Sequence, residues 1–450
     1  MEEYDLIVIG GGCAGMAAAL RGTEMGRRVC LVQKEFPGDP RHEYFLRMGL
    51  LGNLPVVAPG GDPGSAMRSW VQDLEASRRA TAEKQTRRLE QLGVSVKSGE
   101  GSLIGSRSVK IRTEGGEETA GATGIVLAMG SDPVPPTNLP FDPPLILPFD
   151  DLFTPESVPP TLLVLGGGRL ALEVATLFNR LGSRVFLCVE TPRLLNEDEP
   201  VLTDLLEEGM KKSKIKLLLN KRLVSHYKNE GNIDITLDGG VKFSVERIVW
   251  TGPRQPRFSK AGAQSVGLRV GERGEIWVNE NLQTSLPGVY AAGSLLGRSS
   301  FRGISPEEGR AAAENALGKK RGFDPDWVPQ TIFTAPQIAF IGCTAEKAHH
   351  KGFRAVMGEF TRESPESSVP GRSPSWFKVV ADRETRCVIG GQVVSPRASE
   401  MISLLSLAVR KGMKVNSLAT LPCEVGSESD GIREAAKACL GRLKSPSAGS

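Results

Sequence analysis

The chain has 450 residues, of which 40% are hydrophobic and 24% charged, an ordinary globular composition with room for about three domains. Its 56 basic and 52 acidic residues give a net charge of +4, too balanced to favour nucleic acid or an anionic membrane as a partner. We expect no secretory signal, and no stretch approaches the roughly 20 consecutive apolar residues of a membrane helix. Its seven scattered cysteines form no Cys-x-x-Cys pair, so we expect no metal site and a reducing, cytoplasmic location.

Hydrophobic periodicity predicts a strand–helix–strand unit at the start of the chain, followed by a mixed region. The predicted elements are a strand at 4–9, an alanine-rich helix at 14–25, a strand at 28–32, a Gly- and Pro-rich irregular stretch at 36–64, a long helix at 65–92 and strands at 94–97, 108–112 and 124–130.

A proline-rich linker at 133–144 separates this region from a second strand–helix–strand unit. The elements predicted after it are a strand at 161–165, a helix at 170–181, strands at 184–190, 214–219, 222–227, 232–237, 247–252 and 288–294, and a helix at 305–317. From about residue 328 the pattern changes to separate strands and helices, and the polar tail from 445 is expected to be disordered.

The first strand runs into a glycine-rich turn with the spacing of a dinucleotide-binding fingerprint. Gly10 allows a tight turn, Gly12 lets the backbone approach a pyrophosphate, and Gly15 lets the helix pack closely on the strand. The pyrophosphate would lie at the helix N-terminus, beside Ala14. A glycine-rich turn without a ligand is the alternative.

Gln33 stands at the end of the second strand, where this fingerprint normally has an acidic residue that accepts from the ribose hydroxyls. The glutamine carbonyl accepts a neutral hydrogen bond, which we expect to cost about 1–2 kcal/mol of ribose affinity. Glu35 would compensate only if the following loop bends back.

The second glycine-rich turn contains Gly166, Gly168 and Ala171, the last at a position where the fingerprint tolerates alanine. Here an acid, Glu190, does end the second strand, which favours NAD(H) over NADP(H), although Arg193 is near and Glu190 could be a plain surface charge. Glu173, on the first turns of the helix, is a candidate nicotinamide contact or else an acid stabilised by the helix dipole.

Two such turns in one chain predict an α/β protein that binds two dinucleotides, normally FAD and a nicotinamide nucleotide. Other stretches make the chain resemble the FAD-dependent pyridine-nucleotide disulfide oxidoreductases, the family of dihydrolipoamide dehydrogenase, glutathione reductase and mercuric reductase. The resemblance covers about 4–440, and its further matching stretches are 128–131, 252–256, 283–293, 333–342 and 399–402.

The resemblance implies two Rossmann-like domains, an α+β dimerisation domain and a homodimer. It divides the chain into an FAD-binding domain (1–155 and 276–327), an inserted NAD-binding domain (156–275), a dimerisation domain (328–444) and a tail (445–450). Besides the residues of the two fingerprints, the candidate cofactor-binding residues are Lys34, Gly101, Ala128, Gly130, Gly252, Arg254 and Ser294.

The chain departs from the family where the chemistry is expected. No cysteine lies between Cys30 and Cys188, so the redox pair that should follow the second strand is missing, and dithiol exchange needs both thiols. Ser294 stands where the family has an aspartate that holds the flavin ribityl chain.

The family's His–Glu dyad is missing too. Its histidine falls at Val425 or Glu424, depending on the side from which the segment is aligned, and its glutamate falls at Asp430. We interpret the four histidines, His42, His226, His349 and His350, as surface residues, and Cys423 more readily as a buried thiol than as a redox group.

Two functions remain in competition. The first is a flavoprotein that transfers hydride from NADH to flavin without dithiol exchange and then to an unknown acceptor. The second is a non-catalytic relative that keeps the fold as a nucleotide-binding or assembly subunit, since fold does not imply function. A different chemistry in the altered loop of 36–64 is a third, smaller alternative.

Overall fold

The computed structural model describes residues 2–34, 38, 40–52, 54, 63–153, 158–195, 199–258, 260–298, 302–362 and 374–444. The chain forms two compact units, one of residues 1–158 and 252–324 and the other of residues 159–251 and 325–450. The boundaries of these units differ from those of the predicted domains. Residues 252–275 belong to the first unit, and the second unit contains most of the predicted NAD-binding domain and the predicted dimerisation domain.

The first unit begins with a strand–helix–strand sequence and then two consecutive helices. Its elements up to residue 151 are β1 (Glu2–Ile9), α1 (Cys13–Glu24), β2 (Val29–Gln33), α2 (Arg41–Leu50), α3 (Pro63–Gln91), β3 (Ser95–Gly105), β4 (Ser108–Thr113), β5 (Gly116–Leu127), β6 (Ser131–Pro133), β7 (Ile146–Pro148) and a 3₁₀ turn (Phe149–Asp151).

The second unit then starts, and its first part comprises β8 (Thr161–Leu165), α4 (Arg169–Arg180), β9 (Arg184–Val189), α5 (Pro200–Lys212), β10 (Lys216–Leu219), β11 (Leu223–Asn229), β12 (Asn232–Leu237), a 3₁₀ turn (Asp238–Gly240), β13 (Lys242–Val245) and β14 (Arg247–Trp250). The chain returns to the first unit with β15 (Arg254–Pro256), α6 (Lys260–Ser265), β16 (Val289–Ala291), a 3₁₀ turn (Gly293–Leu296) and α7 (Ile304–Ala316).

The remaining elements complete the second unit. They are a 3₁₀ turn (Pro325–Trp327), β17 (Gln330–Ile332), β18 (Gln337–Gly342), α8 (Ala345–His350), β19 (Ala355–Arg362), β20 (Ser375–Asp382), β21 (Val388–Ser395), α9 (Ala398–Arg410), α10 (Val415–Ala419) and α11 (Glu428–Lys444).

The first unit is built around a parallel sheet. β1 lies between β2 and β5, β16 follows beyond β5, and all four strands point the same way. β1 ends in an apolar run at 6–9, in which Leu6, Ile7 and Val8 are fully buried, as expected for a strand covered on both faces. Helices α1 and α7 pack so closely that a Cβ on Gly309 would lie 2.0 Å from the Ala14 carbonyl oxygen. This arrangement brings the carboxyl ends of the strands to one edge of the sheet.

The prediction that 36–64 is irregular is wrong for Arg41–Leu50, which form α2. The helix is short and lies among Pro and Gly residues, so its periodicity is weak in the sequence. It forms because Tyr44, Phe45 and Leu46 are buried, with Phe45 edge-to-face on Phe153 at 5.6 Å between ring centroids. Phe45 and Phe153 lie far apart along the chain, so the sequence pattern around 41–50 does not show this contact.

The described residues of the second unit form a parallel sheet and two antiparallel ones. Strands β10, β9, β8 and β14 are parallel neighbours in that order, and β11–β13 form a separate antiparallel sheet. The C-terminal strands form an antiparallel sheet in the order β17-β18-β21-β20-β19, whose core with α9 and α11 includes Phe377, Val393, Leu405 and Ile432. The predicted α/β class with an α+β C-terminal domain is confirmed.

Candidate nucleotide-binding sites

The first glycine-rich turn has the geometry that its sequence predicts. Gly10 has a φ of +108°, and a Cβ on Gly15 would lie 1.8 Å from the Gly10 carbonyl oxygen, so both positions require glycine. A Cβ on Gly12, by contrast, would meet no atom within 4 Å. The following helix α1 starts at Cys13 without a side-chain cap. Backbone N–H groups at this helix start are therefore available to an anion such as a pyrophosphate.

Gln33 ends β2 with its side chain against this turn. The residue is 6% exposed, and its Oε1 has no hydrogen-bond partner among the described residues. A Cβ on Gly11 would lie 2.2 Å from that oxygen. Because a buried acceptor without a partner is costly, this oxygen fits a ligand hydroxyl such as that of a ribose. The first turn and Gln33 together fit the adenosine pyrophosphate part of FAD.

Three further candidates lie at the same edge of the first sheet. The Ala128 carbonyl oxygen would be 2.2 Å from a Cβ on Gly10, and a Cβ on Gly130 would be 3.9 Å from the Ser294 Oγ. Gly130 itself has a φ of +84°. The structure thus brings Ala128, Gly130 and Ser294 together with the first glycine-rich turn, although they are far apart along the chain.

Lys34, Gly101 and Ala14 have local roles in the structure. Lys34 is exposed and its Nζ lies 2.5 Å from the Glu100 carboxylate. A Cβ on Gly101 would lie 2.8 Å from the Ile9 side chain, so this glycine permits close strand packing. Ala14 lies where α1 packs against Gly309 of α7. Their assignment as cofactor contacts stays a prediction, and Glu35 lies outside the described residues.

A buried acid beside Ser294 was missed by the sequence reasoning. Glu308 of α7 is 2% exposed and accepts a hydrogen bond of 2.8 Å from the Gly293 N–H, with the Arg298 guanidinium at 3.5 Å. Burial raises the pKa of Glu308 to about 7. The carboxyl therefore fixes the turn that presents Ser294. The position of Glu308 within a predicted helix does not indicate its hydrogen bond with Gly293.

The second glycine-rich turn repeats the geometry of the first. Gly166 has a φ of +135°, and a Cβ there would lie 2.4 Å from the Thr251 hydroxyl, next to Gly252. A Cβ on Gly168 would meet no atom within 4 Å, and α4 also begins without a side-chain cap. Ala171 is 1% exposed beneath the turn. This turn therefore offers a second helix start to a pyrophosphate.

Glu190 and Arg193 follow β9, beside the second turn. Glu190 is exposed, so its carboxylate is accessible to the ribose of a nucleotide that binds from solvent. Arg193 donates to the Asp204 carboxylate at 2.6 Å and to the Glu207 carboxylate at 3.0 Å, both on α5. Arg193, the basic residue near Glu190, is thus paired with two carboxylates of α5.

Glu173 lies inside the second unit and is fully buried. Its Oε2 accepts from the Arg169 guanidinium at 2.5 Å, and its Oε1 accepts from the Phe333 N–H at 3.2 Å. Both carboxylate oxygens thus have protein donors. The role of Glu173 as a nicotinamide contact stays a prediction.

The interpretation of the histidines as surface residues is wrong for His42. Its side chain is 14% exposed, and its Nδ1 lies 3.7 Å from the Asp150 carboxylate. Asp150 in turn accepts two hydrogen bonds from the candidate residue Arg254, at 2.6 and 2.9 Å. Arg254 is therefore placed by a carboxylate of its own unit, and His42 joins a half-buried charged cluster that the sequence did not reveal.

The C-terminal segment that should carry a His–Glu dyad has another structure. Val425 is 79% exposed, and the Asp430 carboxylate accepts from the Gly426 N–H at 2.9 Å and from Arg433 at 2.5 Å. Asp430 therefore stabilises the start of α11. Cys423 is half-buried, and none of the seven cysteines, all of which lie among the described residues, is in a disulfide. Within the described ranges, no group of three or more His, Cys, Asp or Glu residues is arranged to hold a metal ion.

Comparison with known protein families agrees with the two nucleotide-binding turns. Residues 4–317 match the model of the pyridine nucleotide-disulphide oxidoreductases, and residues 328–423 match the model of the dimerisation domain of the same family. The chain belongs to this family. Its members are FAD- and NAD(P)-dependent oxidoreductases, and their dimerisation domain implies a homodimer.

Relatives of the chain share nearly its full length. It is 31% identical to a dihydrolipoyl dehydrogenase of Thermus scotoductus, over 97% of this chain and 98% of the relative. It is 26% identical to a mercuric reductase of Staphylococcus aureus, over 96% and 82%, and 26% identical to a soluble pyridine nucleotide transhydrogenase of a Marinomonas species, over 93% of both chains.

Solved structures of the same fold are similar over the whole chain. LpdA from Mycobacterium tuberculosis superposes with a TM-score of 0.83 at 24% identity, covering 99% of this chain and 100% of that one. The Cu(II) complex of the HOCl-induced flavoprotein disulfide reductase RclA from Escherichia coli gives a TM-score of 0.79 at 20% identity, covering 97% and 99%. Across the described ranges, no helix is both long and apolar enough to cross a membrane.

Proposed function

We propose that this protein oxidises NADH and passes the hydride to an acceptor other than a disulfide, with FAD as the bound carrier. The observation that supports this most strongly is the pairing of two open glycine-rich turns with the absence of any cysteine between Cys30 and Cys188. Dinucleotide binding needs the open glycine-rich turns. Thiol exchange needs a pair of cysteines, which this part of the chain does not have.

FAD would be held by residues of the first unit. The start of α1 would take the pyrophosphate, the Gln33 Oε1 would accept from a ribose hydroxyl, and Ser294 would lie near the ribityl chain. Bound there, FAD would supply two-electron chemistry that no side chain provides. The protein's own residues would bind and orient the dinucleotide.

NADH is the proposed nucleotide of the second turn. An exposed carboxylate at Glu190 favours a free ribose 2′-hydroxyl and repels a 2′-phosphate. Arg193 is the cation that would favour NADPH, and its hydrogen bonds to Asp204 and Glu207 direct it to α5 instead. The charges around this turn therefore support NAD(H) over NADP(H).

A second function is favoured by the neutral residues at two flavin positions. Gln33 and Ser294 both replace acids, so flavin affinity is expected to be lower than with charge-assisted hydrogen bonds. A non-catalytic nucleotide-binding or assembly subunit would tolerate this change. It would bind NADH at the second turn without passing electrons onward.

One experiment separates the two functions: an absorption spectrum of the purified protein reconstituted with FAD, followed by anaerobic addition of NADH. The proposed oxidoreductase shows a bound-flavin spectrum that bleaches with NADH. A protein that retains no flavin, or whose flavin NADH does not bleach, contradicts the proposal and favours the binding role. Turnover of dihydrolipoamide or glutathione disulfide would contradict the claim that the acceptor is not a disulfide.

A further inference from the structure

We propose that His42 exchanges a proton with the acceptor, and that Asp150 and Arg254 hold His42 in place for this step. The inference rests on the proposed function, because it concerns the acceptor of the hydride that NADH supplies. It assigns a proton donor to a chain whose C-terminal segment has no histidine.

The imidazole is held in a defined place. His42 is the second residue of α2, and its ring packs edge-on against Phe149 with 5.1 Å between ring centroids. Its Nδ1 faces the Asp150 Oδ2 at 3.7 Å, an ion-pair distance when the ring is protonated. The two hydrogen bonds from Arg254 fix both oxygens of Asp150. A neighbouring carboxylate that orients an imidazole is the usual arrangement for a histidine that transfers protons.

Hydrogen bonds connect this cluster to the edge where the flavin is proposed to bind. Arg254 donates to the Ser131 Oγ at 3.0 Å and to the Ser131 carbonyl at 2.6 Å, and Ser131 directly follows Gly130. On the other side, the Gly38 N–H donates to the Gly11 carbonyl at 2.8 Å, just before α2. Ligands of such sheets bind at the carboxyl ends of the strands. His42 therefore lies at the ligand-binding edge of the first unit.

The charges around the ring have opposing effects. Burial lowers the pKa of His42 below its ordinary value, the Asp150 and Glu43 carboxylates oppose this, and the Arg254 and Arg257 guanidiniums add to it. Glu43 is paired with Arg302 at 3.0 Å, and Arg257 with Asp132 at 2.7 Å. The neutral ring therefore predominates at pH 7, and the protonated ring accumulates as the pH falls.

The chemistry that needs such a group is the reduction of a carbonyl or quinone acceptor. NADH loses a hydride and becomes NAD⁺, and the acceptor gains that hydride. As the π bond of the acceptor's C=O breaks, its oxygen takes a proton from the His42 imidazolium and an O–H bond forms. Neutral His42 then regains a proton from solvent. Ferricyanide is different, because two ferricyanide ions take one electron each and the proton of the hydride is released to solvent, so the acceptor needs no proton donor.

The experiment compares these two acceptors, with the FAD-reconstituted protein, NADH and either a water-soluble quinone or ferricyanide between pH 5.5 and 8.5. For the wild type we expect quinone reduction to accelerate as the pH falls and ferricyanide reduction to lack this dependence. His42→Asn should slow quinone reduction by about 100-fold at low pH, flatten its pH profile and leave ferricyanide reduction within about twofold. Asp150→Asn should shift the quinone profile to lower pH, because it removes the carboxylate that favours imidazolium. His350→Asn, at an exposed residue of α8, is the matched control and should change neither rate.

The outcomes are distinguishable. A wild-type protein that reduces neither acceptor contradicts the proposed function itself. If ferricyanide is reduced but His42→Asn leaves the quinone profile unchanged, the proton-transfer role is overturned. Equal loss of both rates in His42→Asn and in His42→Gln assigns His42 a purely structural role and also overturns it. Independently of activity, the His42 imidazole signal in an NMR pH titration should titrate at a lower pH in Asp150→Asn, and an unchanged midpoint contradicts the pairing.

Discussion

Arg169 and Glu173 form a buried ion pair one helical turn apart, directly behind the second glycine-rich turn. The guanidinium lies 2.5 Å from the carboxylate, and the two side chains are 6% and 0% exposed. Removing one partner of such a pair leaves a buried charge, which typically costs about 3–5 kcal/mol. We expect Glu173→Leu to lower the free energy of unfolding by about that amount, as measured by denaturant titration.

The exposed pair Glu208 and Lys212 has the same spacing on α5 and is the control. Glu208→Leu should change stability by less than about 1 kcal/mol. Adding Arg169→Met to Glu173→Leu should recover part of the loss. If the Glu173 carboxylate serves only Arg169 and the Phe333 N–H, Glu173→Gln should leave the dissociation constant for NADH almost unchanged. A large increase in that constant would support a nicotinamide contact.

The two open glycines allow each nucleotide site to be blocked separately. Because a Cβ on Gly12 or Gly168 meets no atom within 4 Å, neither substitution should unfold the protein. Gly12→Asp should abolish flavin binding and keep NADH binding, and Gly168→Asp should do the reverse, since each carboxylate would repel a pyrophosphate. Flavin absorbance and NADH fluorescence titrations measure both. Normal flavin binding by Gly12→Asp would show that the first site is assigned wrongly.

Gln33 should affect stability and ligand binding in opposite directions. Gln33→Leu removes a buried acceptor without a partner, so the protein without flavin should become no less stable. Its flavin affinity should fall by about fivefold to tenfold, the value of a lost neutral hydrogen bond. Gln33→Glu should bind flavin more tightly than the wild type, because the hydrogen bond becomes charge-assisted. Thermal unfolding and FAD titration test the two effects, and an unchanged affinity in Gln33→Leu would contradict the ribose contact.

Glu190 should set the preference between the two nicotinamide nucleotides. Glu190→Ser removes the repulsion of a 2′-phosphate, so we expect the ratio of NADPH to NADH affinity to rise by about tenfold. Glu230→Ser, at another exposed position of the second unit, is the control. Equilibrium titration with both nucleotides measures the ratio. If the ratio of NADPH to NADH affinity does not change in Glu190→Ser, Glu190 is a surface charge that does not contact the nucleotide.

Glu308 should make stability depend on pH in a direction opposite to most carboxyl groups. Its folded pKa is raised from 4.5 to about 7, so its stabilising contribution is complete below pH 4.5 and is lost as the pH rises through 7. Glu308→Gln retains an acceptor for the Gly293 N–H and should gain stability relative to the wild type over that interval, by up to about 3 kcal/mol at pH 8.

Glu314, on the same helix, is the matched control with the opposite sign. Its pairs with Arg21 and Arg321 help to hold its pKa below the ordinary value against the effect of burial. Glu314→Gln should therefore lose stability at neutral pH, and this loss should shrink as the pH falls below 4.5. Melting temperatures measured from about pH 3 to pH 8 test both variants. A difference between Glu308→Gln and wild type that does not vary with pH would contradict the raised pKa.

The sequence by itself determined the parts of this protein that depend on local geometry. Gly10, Gly15 and Gly166 are required by turns of a few residues, and the apolar runs before them are buried parallel strands, so both nucleotide-binding units were predictable. Glu190 and Gln33 were found from their place at strand ends. The absence of a cysteine pair is likewise a property of the sequence alone.

Tertiary structure decided what depends on residues far apart along the chain. The Arg254–Asp150 pair spans 104 residues, and the Phe333–Glu173 hydrogen bond spans 160. Helix α2 forms because its apolar side chains meet distant partners, and the same packing places the His42 ring against Phe149. Periodicity and spacing report contacts within a few turns, whereas burial and charge pairing arise when the fold brings distant segments together. For that reason the nucleotide-binding turns were visible in the sequence, and the charged cluster around His42 was not.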